Sequence, residues 1–224
     1  VEKTQSTDKF KKGGGGMNGL KEGAKQCRYT MFHPVNGFDQ IKWNNAGSMF
    51  FCMLILTAFF LVRVFDEALM GFIYNTANPE EISVPSIFLI SMGGFAICYV
   101  SNWAVSSLMF TEGKSRQVFV MLCYTLVPYT VCDMIYILAS NFTNLEMKAF
   151  LTALRVVGLL WSGLILLIGE YYVHQLTAVK VFLNLALTAA GIVILLFLLL
   201  LGYSLVQQIY AFLYTIYNEI AFRL

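Results

Sequence analysis

Charge is what this chain has least of. Asp, Glu, Lys and Arg make up 12% of its 224 residues, about half the share found in an ordinary soluble domain. So sparse a charge cannot coat a soluble protein of this size, and lipid has to face much of the chain. The two signs nearly cancel, with 15 Lys and Arg against 13 Asp and Glu. A formal net charge of +2 is too small to argue for a nucleic-acid partner. Histidine occurs twice and cysteine five times. Cys27, Cys52, Cys98, Cys123 and Cys132 form no CxxC pair and stand beside no His at metal-ligand spacing. Their odd number gives no disulfide framework, and four of them lie in apolar runs, where they read as small buried hydrophobes. No metal and no cofactor is expected. The first residue is Val1 rather than Met, which leaves room for a segment ahead of it.

What is there is long and apolar. The hydrophobic share is 58% and the mean hydropathy +0.68. Pro85–Phe110 and Val118–Ala139 are continuous apolar runs joined by the turn TEGKSRQ, which carries Glu112, Lys114 and Arg116. Each run exceeds the roughly 20 residues that cross a hydrocarbon core. Neither shows the polar stripe of a soluble helix. A transmembrane barrel needs alternating segments of about ten residues, and these runs are longer and unbroken. Three more spans are read at Gly47–Val64, Phe150–Tyr172 and Phe182–Tyr203. The expected fold is all-α: a polytopic, five-span transmembrane helical bundle with interfacial amphipathic segments.

The rest of the chain divides around that bundle. Residues 1–26 are polar, lysine-bearing and broken by Gly13–Gly16, and read as a flexible basic tail. Residues 27–46 interleave aromatic and polar groups, as suits headgroup depth before a span; "PVNG" at Pro34–Gly37 reads as a turn. The membrane domain covers 47–203, and 204–224 reads as an amphipathic helical extension. Lys and Arg concentrate before the first span, in the TEGKSRQ turn and at Lys180. This places the amino terminus in the cytoplasm and, with five spans, the carboxyl terminus outside.

Polar residues inside the spans are few. Asn102, next to Trp103, has no partner in lipid and must face protein or the interface. Gly93 and Gly94 are expected to admit a neighbouring backbone. Pro128 should kink the third span and free the carbonyl of Tyr124. Arg63 is expected to snorkel to the headgroups, and Glu80 and Glu81 of "NPEE" to cap the second span. Asp133 and Arg155 lie toward the same ends of adjacent antiparallel spans and are expected to approach each other. Glu170 and His174 are four apart and share a helix face. They are half of a metal or proton site at most, and read as an interfacial hydrogen-bonded pair.

The residues also carry a resemblance. "HPVNGFDQIKW" at His33–Trp43 and "SNWAVSSLMFTEGKSRQVFVMLCYTLVPY" at Ser101–Tyr129 resemble the bacterial branch of the Yip-domain integral membrane family, as does "LLWSGLILLIG" at Leu159–Gly169 followed by His174-Gln175. The resemblance implies a five-span domain with a cytoplasmic amino terminus, here in a bacterial cytoplasmic membrane. Eukaryotic members of that family interact with Rab-type GTPases in vesicle trafficking, a role not carried over to a chain resembling the bacterial branch. No catalytic residue transfers. His33, Pro34, Gly37, Phe38, Asn102, Trp103, Gly113, Tyr124, Pro128, Trp161 and Gly163 are the structural or partner-binding candidates; Asp133, Arg155, Glu170 and His174 are the intramembrane polar ones.

Two functions follow. One is a non-catalytic adaptor or scaffold binding a partner protein or complex in or at the membrane, with lipids around it and a homo-oligomer left open. The alternative is a small-solute or ion permease, or a transporter subunit, whose path Asp133, Arg155, Glu170 and His174 would line. An enzyme is not expected, because neither His33 nor His174 has a nucleophile beside it.

Overall fold

The computed structural model describes residues 17–71, 74 and 83–221, and they are helical almost throughout. Two short helices come first, α1 (Met17–Phe32) and α2 (Pro34–Asn44). Then come α3 (Met49–Ala68), α4 (Val84–Phe88), a π-type turn over Leu89–Gly93, and α5 (Gly94–Leu108). The last three helices are α6 (Ser115–Ser140), α7 (Lys148–His174) and α8 (Ala178–Ala221). Five stretches are long and apolar enough to cross a membrane: Met49–Ala68, Val84–Leu108, Ser115–Ser140, Leu145–His174 and Ala178–Glu219.

The core is built around α6, the most buried span, whose Val118, Met121, Cys123 and Tyr124 are enclosed by α3 and α7. The outer faces carry exposed Leu, Ile, Val and Phe. In water they would be a liability; against acyl chains they are solvated. The 44 residues of α8 make a rod of about 66 Å, twice the thickness of a hydrocarbon core. Its first turns pack against α5 and α7, and beyond Leu196 it lies exposed almost throughout. The amphipathic stretch from Ser204 therefore continues the fifth span without a break.

The amino-terminal segment departs from expectation. Met17–Gln26 belongs to α1, although the sequence reads it as part of a flexible tail; Gly13–Gly16 lie outside the described residues. The glycines that weaken this helix also let it dock. A Cβ on Gly23 would fall 2.6 Å from that of Phe51 in α3. Tyr124 donates its hydroxyl to the Gly23 carbonyl at 3.3 Å, tying α1 to α6. "PVNG" likewise opens α2 rather than forming a turn, with Pro34 in the first helical position where its missing N–H costs nothing.

Three further expectations are corrected. Among the described residues nothing lies within 4 Å of a Cβ on Gly94 and only Leu89 of the same segment nears one on Gly93; the pair adjoins the π-type turn instead of seating a neighbour. Arg63 does not snorkel away but pairs with two carboxylates. Span four starts from a 3-10 turn, Leu145–Met147. Glu80, Glu81 and the "NPEE" turn lie outside the described residues. Helix α6 runs on through Pro128, and the amide of Tyr129 donates to Ser162 Oγ of α7 at 3.1 Å, so a neighbouring span answers part of the proline's disruption.

Candidate functional site: a buried polar cluster at one end of the bundle

Three spans each place one amide or carboxyl side chain on the same spot. Glu170 lies one turn before the end of α7, Asn102 in the last half of α5, and Asn184 in the second turn of α8. None is more than 1% exposed. Asn102 Nδ2 donates to Glu170 Oε1 at 2.5 Å, and Asn184 Nδ2 donates to Oε2 at 2.8 Å. One carboxylate thus receives an amide from each side, which is how a carboxyl group is held where lipid offers no donors. The carbonyl oxygens of both asparagines, and the Thr188 hydroxyl oxygen one turn further along α8, have no hydrogen-bond partner among the described residues.

His174 forms the outer layer. Its Nε2 is 3.5 Å from Glu170 Oε2 and 3.4 Å from Ser106 Oγ, and its Nδ1 is 3.0 Å from Thr111 Oγ1. Gly113 is pressed against the imidazole. A Cβ there would fall 2.4 Å from Nδ1, so this turn closes only over glycine. The expected Glu170–His174 pair is present, but it is buried rather than interfacial, and its partners are amides and hydroxyls from other spans.

Lys42, from α2, closes the end. Its ammonium donates to the Glu112 carbonyl at 2.6 Å and the Val173 carbonyl at 3.1 Å, and lies 3.6 Å from the Glu112 carboxylate. Burial lowers its pKa from the ordinary lysine value, while Glu112 acts in the opposite sense. Gln117 donates to the Lys42 carbonyl at 2.8 Å. Phe38 and Ile41 of the same helix are fully enclosed. The Phe38 ring reaches α7 beside Gly169, where a Cβ would meet Met121 and Phe38. Helix α2 is therefore a plug seated on the bundle end.

The second group of charges sits at the opposite end. Arg155 of α7 is ion-paired with Asp133 of α6 and Asp66 of α3, each at 2.5 Å, and donates a hydrogen bond to Asp66. Arg63 bonds Asp66 at 3.0 Å and Asp133 at 3.4 Å. The Arg155 guanidinium also lies 4.0 Å from the centroid of the Tyr136 ring. Two cations and two anions make a neutral quartet across three spans. The Asp133–Arg155 approach is as expected from the sequence; Arg63 and Asp66 were not foreseen as members.

The remaining candidates divide. Asn102, Gly113 and, through Lys42 and Phe38, the His33–Trp43 motif meet at the Glu170 cluster. Gly37 packs on Thr30 of α1, and Tyr124 lies in the core. His33 is exposed and stacks on Tyr29 at 5.2 Å, next to Pro34. Trp103 and Trp161 face outward, and among the described residues nothing lies within 4 Å of a Cβ on Gly163. Asn184 and Lys42 were missed. A lone Asn inside the run VFLNLALT is itself a signal, because lipid cannot satisfy it. Among the described residues no three His, Cys, Asp or Glu side chains are grouped to hold a metal ion.

An all-α bundle of five long apolar helices, with its polar side chains turned inward, defines a polytopic helical membrane protein. The Yip1 domain family model matches residues 28–216, and the chain belongs to that family. No curated protein and no solved structure matches it.

Proposed function

We propose that this protein is a non-catalytic membrane adaptor that holds a partner protein at the bundle end formed by α1, α2 and the 109–114 turn. Membership of the Yip1 domain family supports partnering of this general kind. The observation that carries the reading is how the polar residues are spent. The four that would line a permeation path separate into two clusters. Glu170 and Arg155 are fifteen residues apart on α7, about 22 Å along the axis. Of the buried α7 residues between them, Gly158, Ser162, Ile165 and Gly169, one is polar. The quartet's charges are consumed by each other. The family-like motifs, by contrast, gather around a plugged end whose outer side shows exposed Phe32, Trp43 and Phe110 with Lys21, Arg28, Lys114 and Arg116.

The proposal places that end on the cytoplasmic side of a bacterial cytoplasmic membrane and the end of α8 on the other side, following the lysine and arginine bias. A photoreactive residue replacing Val35, which points away from the core, tests it in native membranes. The adaptor reading expects one discrete protein adduct, with a second copy of this chain as one identity it can take. Lipid adducts alone, together with solute flux into liposomes that is lost when Asp133, Arg155 and Glu170 are neutralised, would favour the permease instead.

A further inference from the structure

Helix α8 outruns the bilayer. Gly202 lies 24 residues beyond Ala178, about 36 Å along the axis, so a span that starts at Ala178 reaches the far edge of the hydrocarbon core there. The turns past that edge are exposed, yet they are not the turns of a helix that stands alone in water. At about 100° per residue they divide into two halves. Leu205, Ile209, Phe212, Leu213 and Ile216 fall on one half of the circumference. Gln207, Gln208, Thr215, Asn218 and Glu219 fall on the other.

The tyrosines add an independent observation. Tyr203, Tyr210, Tyr214 and Tyr217 are spaced by seven, four and three residues and so form one line along the helix. That line is a margin between the two halves. Tyr210 and Tyr214 stack with their ring centroids 6.4 Å apart, and Gln207 Nε2 donates to the Tyr203 hydroxyl at 2.7 Å from the polar side. A tyrosine at such a margin keeps its ring in apolar surroundings and its hydroxyl at headgroup depth. Gly202 supplies the means to lie down. Among the described residues nothing lies within 4 Å of a Cβ on it, so no neighbour requires a glycine there. It precedes Ile209 by seven residues and therefore stands within the apolar half. A helix that bends toward its apolar side pinches that position. Helix α8 is continuous here; Gly202, with Ser204 just beyond it, is where it yields at least cost.

We propose that residues 204–221 are a lipid-binding foot: α8 bends at Gly202–Ser204 and rests its apolar half in the headgroup–acyl boundary of the bilayer it has just crossed. A lipid surface fits that half better than a second copy does. A pair of helices buries a narrow seam, two positions in seven, and sets charges beside it. Here half the circumference is apolar, and Glu219 is the one charged side chain among the described residues of the foot. The covalent link to the fifth span holds the foot at the membrane surface, so binding needs no encounter step. With no Lys or Arg on its described polar half, the foot holds by apolar burial and not by attraction to anionic headgroups. It therefore favours loosely packed lipid over charged lipid.

The test uses the full chain in phosphatidylcholine nanodiscs, with an environment-sensitive fluorophore attached at Leu213→Cys or Thr215→Cys and the unsubstituted protein labelled in parallel as background. Phosphatidylcholine carrying a nitroxide near the headgroup end of its acyl chain is expected to quench the label at 213 and spare the one at 215. Aqueous iodide is expected to do the reverse. The pair Ile209→Gln and Ile216→Gln strips the apolar half at two exposed positions. It should abolish lipid quenching at 213 and leave the unfolding temperature of the bundle unchanged. Added phosphatidylglycerol should alter neither pattern. Iodide reaching both positions equally, as on a rod standing in water, overturns the proposal. So does protection of 213 from both quenchers, the mark of a protein cover such as a second copy. Lipid quenching at both positions overturns it as well, because it marks a sixth span, and so does quenching that appears only with phosphatidylglycerol.

Discussion

Replacing Asp133 by Ala tests whether the charged quartet is a structural tie. Asp133 is fully buried, whereas the Arg155 and Arg63 side chains are 27% and 31% exposed. Removing one partner of a buried pair costs about 3–5 kcal/mol when the other is left without compensation. Here Arg155 keeps Asp66, bonded at 2.5 Å, and both arginines have partial access to headgroups and water. The expected loss is therefore about 2–3 kcal/mol. Arg155→Ala should cost a similar amount and also forfeits its packing on Tyr136. Because the two residues touch, the double variant should be less destabilised than the sum of the singles, by about 1 kcal/mol or more. Reversible unfolding in mixed micelles, followed by tryptophan fluorescence, measures all corners of the cycle. Single-variant losses that add to within about 0.3 kcal/mol would show that the pair carries no coupling and is not a structural tie.

Other outcomes follow from particular contacts. Gly113→Val should push the 109–114 turn off His174 and lower the unfolding temperature, whereas Gly163→Val, where among the described residues nothing lies within 4 Å of a Cβ, should leave it unchanged to within about 1 °C. Gly169→Leu drives a side chain into Met121 and Phe38 and should release α2, seen as faster proteolysis near Asn44 with the five spans intact. Tyr124→Phe removes the hydroxyl bonded to Gly23 and should cost about 1 kcal/mol. The Cys27 thiol is pushed up to about 12 by burial and by neighbouring Cys52. Its reactive thiolate is thus suppressed at neutral pH, and a maleimide should label it in denatured but not in folded protein.

How much of this was legible depends on which constraint a residue answers to. The spans were, because continuous apolar runs have one explanation in lipid. The meeting of Asp133 and Arg155 was, because both lie toward the same ends of adjacent antiparallel spans. Asn102 was expected to face protein or the interface, and it faces protein. Its partner was not legible: Glu170 and Asn184 are brought to it by packing among α5, α7 and α8, which no local pattern encodes. Arg63 and Asp66 lay at a span end, where snorkelling and loop solvation are equally good local accounts; the choice between them is made by Asp133 and Arg155, far away in the chain. Helix α1 was missed because its first half is polar and follows the Gly13–Gly16 run, which argues for a tail locally; docking on Phe51 and Tyr124 is what holds it. The small residues at Gly93 and Gly94 were misread for the opposite reason. A small residue permits close approach, but a neighbour must be there to use it.

With five helices crossing the bilayer, α1, α2, the 109–114 turn and the α7–α8 turn lie on one face of it. Cysteines introduced singly at Asn36, Lys114, Gln175 and Phe142, all exposed, can be probed in sealed vesicles with a membrane-impermeant maleimide before and after the membrane is opened. Positions 36, 114 and 175 should react together from one side and 142 from the other. Reaction of 114 or 175 on the same side as 142 would contradict this arrangement.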